Sequence, residues 1–212
     1  MLRIYYADIS ALPAESGDLP LSAYRLAQLS SCRLPLRRRQ GLGAELLLIH
    51  ALREEMGICL LPLSIERTPD GKPFLPGSPI RFSLSHSGET VACAISDAPV
   101  GLDLEAEQPL KEALLHRFFS EQEQRLVLGS ACPASAFTEL WTKKESYLKA
   151  TGEGLRALSG IDLLSPPENA FFHHWQLGTL HLSVCVLGCP AVPYRIKEIE
   201  LSRAFLKNLL QD

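Results

Sequence analysis

Apolar positions recur along this chain with two periods. Between Arg37 and Glu55, the residues Leu42, Leu46, Leu47, Ile49 and Leu52 follow a helical repeat that Gly57 ends. A shorter helix is predicted from Leu21 to Leu29. Strands are predicted at Leu2 to Tyr6, Ile80 to Ser85, Thr90 to Ile95 and Val100 to Glu105. Ser87-Gly88 and Asp97-Ala98-Pro99 read as the turns of an antiparallel meander made by the last three. Pro69-Asp70-Gly71-Lys72-Pro73 is turn chemistry. Next come a helical stretch from Leu110 to Phe119, a capped helix from Ser120 through Leu128, and a helix from about Ala136 to Ala150 that stops before Gly152. The remainder predicts strands at Gly160 to Leu164, Phe171 to Leu177, Leu180 to Leu187 and Tyr194 to Ile199, then a closing helix from Leu201 to Leu210. Helix followed by meander occurs twice, which hints at two similar halves.

Two short segments carry chemistry on top of this pattern. In Val100-Gly101-Leu102-Asp103-Leu104-Glu105, alternation puts Val100, Leu102 and Leu104 on one face and Gly101, Asp103 and Glu105 on the other. The carbons bearing the two acids stand roughly 7 Å apart, twice the rise per residue. Carboxylates that close repel each other unless a cation lies between them. Oxygen-only ligands favour a hard ion, magnesium or manganese rather than zinc. The second segment is Trp141-Thr142-Lys143-Lys144-Glu145-Ser146-Tyr147-Leu148-Lys149. At about 100° per residue, Phe137, Leu140, Trp141 and Leu148 form an apolar stripe with Lys144 in its middle. Glu145 and Lys149, four apart, lie along the edge of the stripe and face one ligand. A buried lysine needs an anion. Taken alone, each segment also has a plain structural reading: a solvated acidic strand face, a snorkelling Lys144, an exposed ion pair. Together they supply metal ligands and positive charge, which is what a pyrophosphate needs.

Composition narrows the classes without choosing among them. The 212 residues suffice for one large domain or two small ones, and the net charge of −3 does not suggest a nucleic-acid binder. No apolar run approaches membrane-spanning length, and the first residues, with Asp8 early, do not read as a signal peptide. Six cysteines are scattered with no Cys-x-x-Cys pair and read as reduced thiols of a cytoplasmic protein.

The pattern Gly-hydrophobic-Asp-x-Glu, followed downstream by Trp-Thr-x-Lys-Glu-Ser-x-x-Lys, resembles the 4'-phosphopantetheinyl transferases, in particular their long, surfactin-type branch. Upstream, Gly71-Lys72-Pro73-Phe74-Leu75 and Phe82-Ser83-Leu84-Ser85-His86-Ser87-Gly88 are similar to further elements of that family, as is Arg117-Phe118-Phe119-Ser120-Glu121-Gln122-Glu123. The matching motifs run in the family's order from about residue 37 to about residue 161. Ser83 departs from the Asn that the family often carries, and the N-terminal basic positions do not align cleanly.

The resemblance implies an α+β fold of two pseudo-twofold halves, residues 1–105 and 106–212, each a small antiparallel sheet packed with helices, with a ligand cleft between them. It implies that Asp103, Glu105 and Glu145 hold magnesium (or manganese) against the pyrophosphate of coenzyme A, with Lys144 and Lys149 on the same phosphates. His86 and Arg39 would meet the 3'-phosphate, and Lys72 would lie near the adenine. The implied reaction moves the phosphopantetheine arm of coenzyme A to a serine of an acyl or peptidyl carrier protein and releases adenosine 3',5'-bisphosphate. Glu145, or a water it orients, would take the serine proton, so Glu145, Lys149 and Asp103 form the catalytic set. Glu123 matches a family acid without an assigned role, and Trp141 reads as packing. A monomer is expected, with no nucleic-acid or membrane partner. Two other classes stay in view: a catalytically silent coenzyme A- or nucleotide-binding homologue, and a metal-dependent pyrophosphohydrolase that uses water in place of a carrier.

Overall fold

A computed structural model describes residues 1–15, 17, 19–57, 61–190, 193–202 and 205. The chain divides into two compact units: Met1–Asp97 together with Val192–Asp212, and Ala98–Ala191 between them. Among the described residues, no helix is long and apolar enough to cross a membrane.

The first unit is built on β1 (Leu2–Asp8), α1 (Ala23–Ser31), α2 (Pro35–Met56), β2 (Glu66–Arg67), β3 (Pro73–Phe74), β4 (Arg81–Ser87) and β5 (Thr90–Ser96). Its four-stranded sheet has the order β4-β5-β1-β9, where β9 is Tyr194–Glu198. β5 runs antiparallel to both β4 and β1, and β9 joins β1 in parallel. α2 packs on β5 and β1. Its Leu46, Leu47, Leu48, Ile49 and Leu52 join Tyr5, Ile9, Val91, Cys93 and Ile95 in the core. The short β2–β3 hairpin turns at the predicted Pro-Asp-Gly-Lys-Pro segment.

The second unit holds β6 (Val100–Ala106), α3 (Glu112–Phe118), α4 (Glu121–Leu128), α5 (Pro133–Thr151), β7 (Ala170–Leu177) and β8 (Leu180–Leu187). Its antiparallel sheet has the order β6-β8-β7. Each unit is thus a small, mainly antiparallel sheet packed with helices, the α+β class that the sequence implies.

Three expectations change. β6 does not extend a meander with β4 and β5, because β1 occupies the free edge of β5 and β6 pairs with β8 instead. The units therefore part at Ala98, ahead of β6 rather than after residue 105, and Val192 onward returns to the first unit. Finally, residues 160–164 form no strand. A 3-10 helix spans Leu155–Gly160, and irregular chain follows it. The backbone groups here bond to side chains rather than to a ladder: Ile161 O accepts from Lys144, and Leu163 N donates to Glu123. Most of the predicted closing helix, residues 203, 204 and 206–210, lies outside the described residues.

Two contacts shape the second unit. The first is the approach of α5 to β6 at Gly101. A Cβ on Gly101 would lie 2.0 Å from Ser146 O and 2.3 Å from Ala150 N, both backbone atoms of α5. Only glycine lets the helix backbone lie that close to the strand. The second is a buried ion pair. Lys144, fully buried, donates to Glu123 Oε2 at 2.8 Å, Phe118 O at 2.8 Å and Ile161 O at 2.5 Å. Its three protons are all taken, and the Phe119 ring lies 4.9 Å from the ammonium. Glu123 is also the N3 residue of a capping box with Ser120, so one carboxylate caps α4, ties α5 and holds Leu163.

Gly101→Ala is expected to lower stability by on the order of 3 kcal/mol or more, since backbone rather than a flexible side chain must yield; urea unfolding of purified protein measures it. Lys144→Met is expected to cost about 3–5 kcal/mol by stranding the buried Glu123 charge, and adding Glu123→Gln should recover much of that loss.

Candidate active site

Gly101, Asp103 and Glu105 share the face of β6 that meets α5, as the alternation predicts. Asp103 is buried and Glu105 is half-buried. From α5, Lys149 Nζ donates to Asp103 Oδ1 at 2.7 Å. Glu145 lies one turn back on the same helix. Burial pushes its carboxyl up to about 7; the Asp103 carboxylate adds to the rise, Lys149 opposes it and Glu105 adds again. Glu105 is also raised, first by burial and then by Asp103, against Lys149 and Lys111. Three carboxylates and one ammonium thus form a single electrostatic group, with Lys111 at its margin. Burial first, and then the neighbouring carboxylates, make Glu145 and Glu105 hold their protons more tightly than usual.

The donor chemistry of this group suits a hard cation, since it is all oxygen and carries surplus negative charge. Among the described residues, no group of three or more His, Cys, Asp or Glu side chains is arranged to hold a metal ion. Instead, Lys149 supplies positive charge to Asp103 directly.

Lys144 does not belong to this group. The expected phosphate contact fails because its ammonium is buried and its hydrogen bonds go to Glu123 and two carbonyls. The anion that its place in an apolar stripe demands is Glu123. Trp141 packs in an aromatic cluster with Phe118, Phe119 and Phe137, in line with a packing role.

Beside the acids, the sheet face is polar across its width, a feature absent from the motifs read in the sequence. Asp103 is in register with Ser183, and Ser183 with His174; Glu105 is in register with His181, and His181 with Gln176. Cross-strand partners share a face. Thr142 of α5 reaches this row, with its Oγ1 2.8 Å from Ser183 Oγ. Thr142 gives its proton to Glu139 O, so Ser183 donates to Thr142 and accepts from His174 Nδ1–H at 2.9 Å. His174 Nε2 then accepts from His181 Nδ1–H at 3.3 Å, and His181 Nε2 from the Ser135 hydroxyl at 3.2 Å. The sequence is satisfied with His174 neutral, and burial lowers His174 to about 4. Alternation in β7 and β8 places these residues on one face, but only the strand register reveals that the face lies beside Asp103.

The remaining predicted residues lie in the first unit. Arg39, near the start of α2, donates from Nη2 to Glu89 Oε1 at 2.6 Å. Its neighbour Gln40 donates to Gly88 O at 2.8 Å. His86 is half-buried on β4, one residue before the end of the strand at the β4–β5 turn. Lys72 sits in the β2–β3 turn, where its backbone N–H bonds Thr68 Oγ1 and its carbonyl accepts from Thr68 N. Arg38, in the run of three arginines, is a structural tie: it donates to the carbonyls of Ala14, Leu29 and Cys32.

The family model of the 4'-phosphopantetheinyl transferase superfamily matches residues 99–187, nearly the whole second unit. The chain is 31% identical over 191 residues to the 4'-phosphopantetheinyl transferase AcpT of Salmonella typhi, covering 87% of this chain and 92% of that protein. It is 33% identical over 160 residues to the 4'-phosphopantetheinyl transferase HetI of a Nostoc species, covering 71% of this chain and 68% of that one. It is 35% identical over 126 residues to the 4'-phosphopantetheinyl transferase psf-1 of Bacillus pumilus, where the match takes in 58% of this chain and 54% of the relative. The chain thus spans about half the length of the Bacillus relative. No single branch stands out among these matches. The extent and identity of the longer two, and the agreement of the family match with the unit that carries the acids, establish that this chain belongs to the 4'-phosphopantetheinyl transferase superfamily.

Proposed function

We propose that this protein transfers the 4'-phosphopantetheine arm of coenzyme A to a serine of an acyl or peptidyl carrier protein, as a monomeric, magnesium-dependent enzyme of the cytoplasm. The observation that carries this reading is the group of Asp103, Glu105, Glu145 and Lys149, with Glu145 raised to about 7. The ordered motifs on either side of it favour the surfactin-type branch. Asp103, Glu105 and Glu145 would hold magnesium (manganese is an alternative), which when bound would neutralise charge on the pyrophosphate and its leaving group.

The chain's own residues do the rest. The serine oxygen forms a bond to the β-phosphorus, and the bond from that phosphorus to the bridging oxygen breaks. Adenosine 3',5'-bisphosphate leaves with the bond's electron pair. Glu145, or a water it orients, takes the serine proton. Lys149 steadies Asp103 in the ligand-free protein and turns to the phosphates when coenzyme A binds. Arg39 and His86 meet the 3'-phosphate, and Lys72 lies toward the adenine. Lys144 leaves the phosphate set and serves with Glu123 as the internal support of α5.

The test is the intact mass of several apo carrier proteins after incubation with this protein, coenzyme A and magnesium. One phosphopantetheine should be gained, and a chelator should abolish the gain. Failure on every carrier despite coenzyme A binding would favour the silent homologue, and cleavage of coenzyme A at full rate without any carrier would favour the pyrophosphohydrolase. Asp103→Ala should reduce turnover by about a hundredfold or more.

A second prediction concerns pH. The folded-state pKa of Glu145 is raised from 4.5 to about 7. The proton it carries therefore contributes stability fully below pH 4.5, and that contribution is lost as pH rises through about 7. In chelator-treated protein, the melting temperature of Glu145→Gln should gain on that of the parent as pH rises across this window. Parallel melting curves would remove Glu145 as the near-neutral acid.

A further inference from the structure

The turn between β4 and β5 carries a carboxylate that the proposed reaction does not use. Two residues, Gly88 and Glu89, join the strands, with Ser87 paired to Thr90. Gly88 has φ 54° at the first central position, the pattern of a type II′ turn. The turn is clamped from two sides: Gln40 Nε2 donates to Gly88 O, and Ile9 N donates to Glu89 O, each at 2.8 Å. Glu89 is thereby set against the start of α2, where its Oε1 accepts from Arg39 Nη2 at 2.6 Å.

The pair is incomplete. Arginine and carboxylate at their best form two parallel bonds. Here one bond forms. Among the described residues, Arg39 Nε and Glu89 Oε2 are buried without a hydrogen-bond partner, as is Gln40 Oε1. A guanidinium held by one bond, with a second donor hidden from water and unmet, favours an anion with more acceptor oxygens. A phosphate monoester is such an anion. Both side chains keep some access to solvent, 22% for Arg39 and 40% for Glu89, so an incoming anion can displace the carboxylate.

We infer that Glu89 is an internal competitor for the 3'-phosphate at Arg39. The inference rests on the reading that Arg39 meets that phosphate. Coenzyme A must displace Glu89 to engage Arg39. After transfer, the 3'-phosphate stays on the adenosine 3',5'-bisphosphate, and Glu89 reclaims Arg39 and speeds its departure. Glu89 is thus a positioning residue that sets affinity through Arg39, and it touches no reacting atom.

Calorimetric titration of the full chain with coenzyme A, 3'-dephospho-coenzyme A and adenosine 3',5'-bisphosphate tests this. Glu89→Gln should tighten the two 3'-phosphorylated ligands by about two- to fivefold, the range of an exposed ion pair. It should leave 3'-dephospho-coenzyme A unchanged, and Glu89→Ala should move affinities in the same direction. Weaker or unchanged binding of the phosphorylated ligands, or an equal shift in all three, overturns the inference. Arg39→Ala separates it from the reading beneath. If that variant leaves the ratio of coenzyme A to 3'-dephospho-coenzyme A affinity unaltered, the 3'-phosphate site is misplaced. If it collapses the ratio while the Glu89 variants leave it alone, only the competitor role falls.

Discussion

The second unit depends on one steric fact: the backbone of α5 rests on the backbone of β6 at Gly101. Helices normally stand off a sheet by the thickness of two layers of side chains. Here one layer is missing at a single point, and the contact sets the height of everything further along both elements. Asp103 and Glu105 lie two and four residues beyond Gly101 on the same face, Glu145 stands just before the part of the helix that touches it, and Lys149 lies within that part. Acids and ammonium meet because the glycine fixes how deeply the helix sits. The charged group follows from a hydrogen atom standing where a methyl group would.

Such a contact has apolar packing beside it, from Ala150, Cys185 and Ala170, and polar support further along the helix. Two networks provide it. On one side, Lys144 and Glu123 bind α5 to α4 and to the irregular chain after the 3-10 helix. On the other, Thr142 joins the Ser183–His174–His181–Ser135 series beside Asp103. A buried polar interface is costly when one member lacks a partner, and stiff and specific when all are matched. α5 therefore has one preferred rotation, the one that aims Glu145 and Lys149 at the acids.

Much of this was legible from local pattern. Alternation assigned Gly101, Asp103 and Glu105 to one face, and the stops at Gly57 and Gly152 were readable as helix ends. The position of Lys144 in an apolar stripe correctly demanded an anion. What failed was the identity of that anion. Glu123 reads as a helix-capping residue, and nothing in its spacing connects it to a lysine on another helix. The same nonlocality hid the pairing of β5 with β1, so Asp97-Ala98-Pro99 passed for a hairpin turn although the chain there leaves one sheet for another. Ile161 and Leu163 alternate like a strand, yet their backbone groups answer to Lys144 and Glu123. Faces follow from period, but partners require the tertiary fold.

The parallel pairing of β1 with β9 bears on the order in which the protein assembles. A ribosome releases β1 first and β9 only after all of β6 to β8 has been made. The second unit is continuous in sequence, so it closes on itself as soon as its residues emerge. The first unit waits: β1 has β5 on one side and an unsatisfied edge on the other until β9 arrives. During synthesis, that open edge is a place where a neighbouring chain could add a strand. The charged residues of β9, with Arg195 bound to Glu55 and Lys197 near Glu54, then leave the finished sheet with an edge that repels further addition.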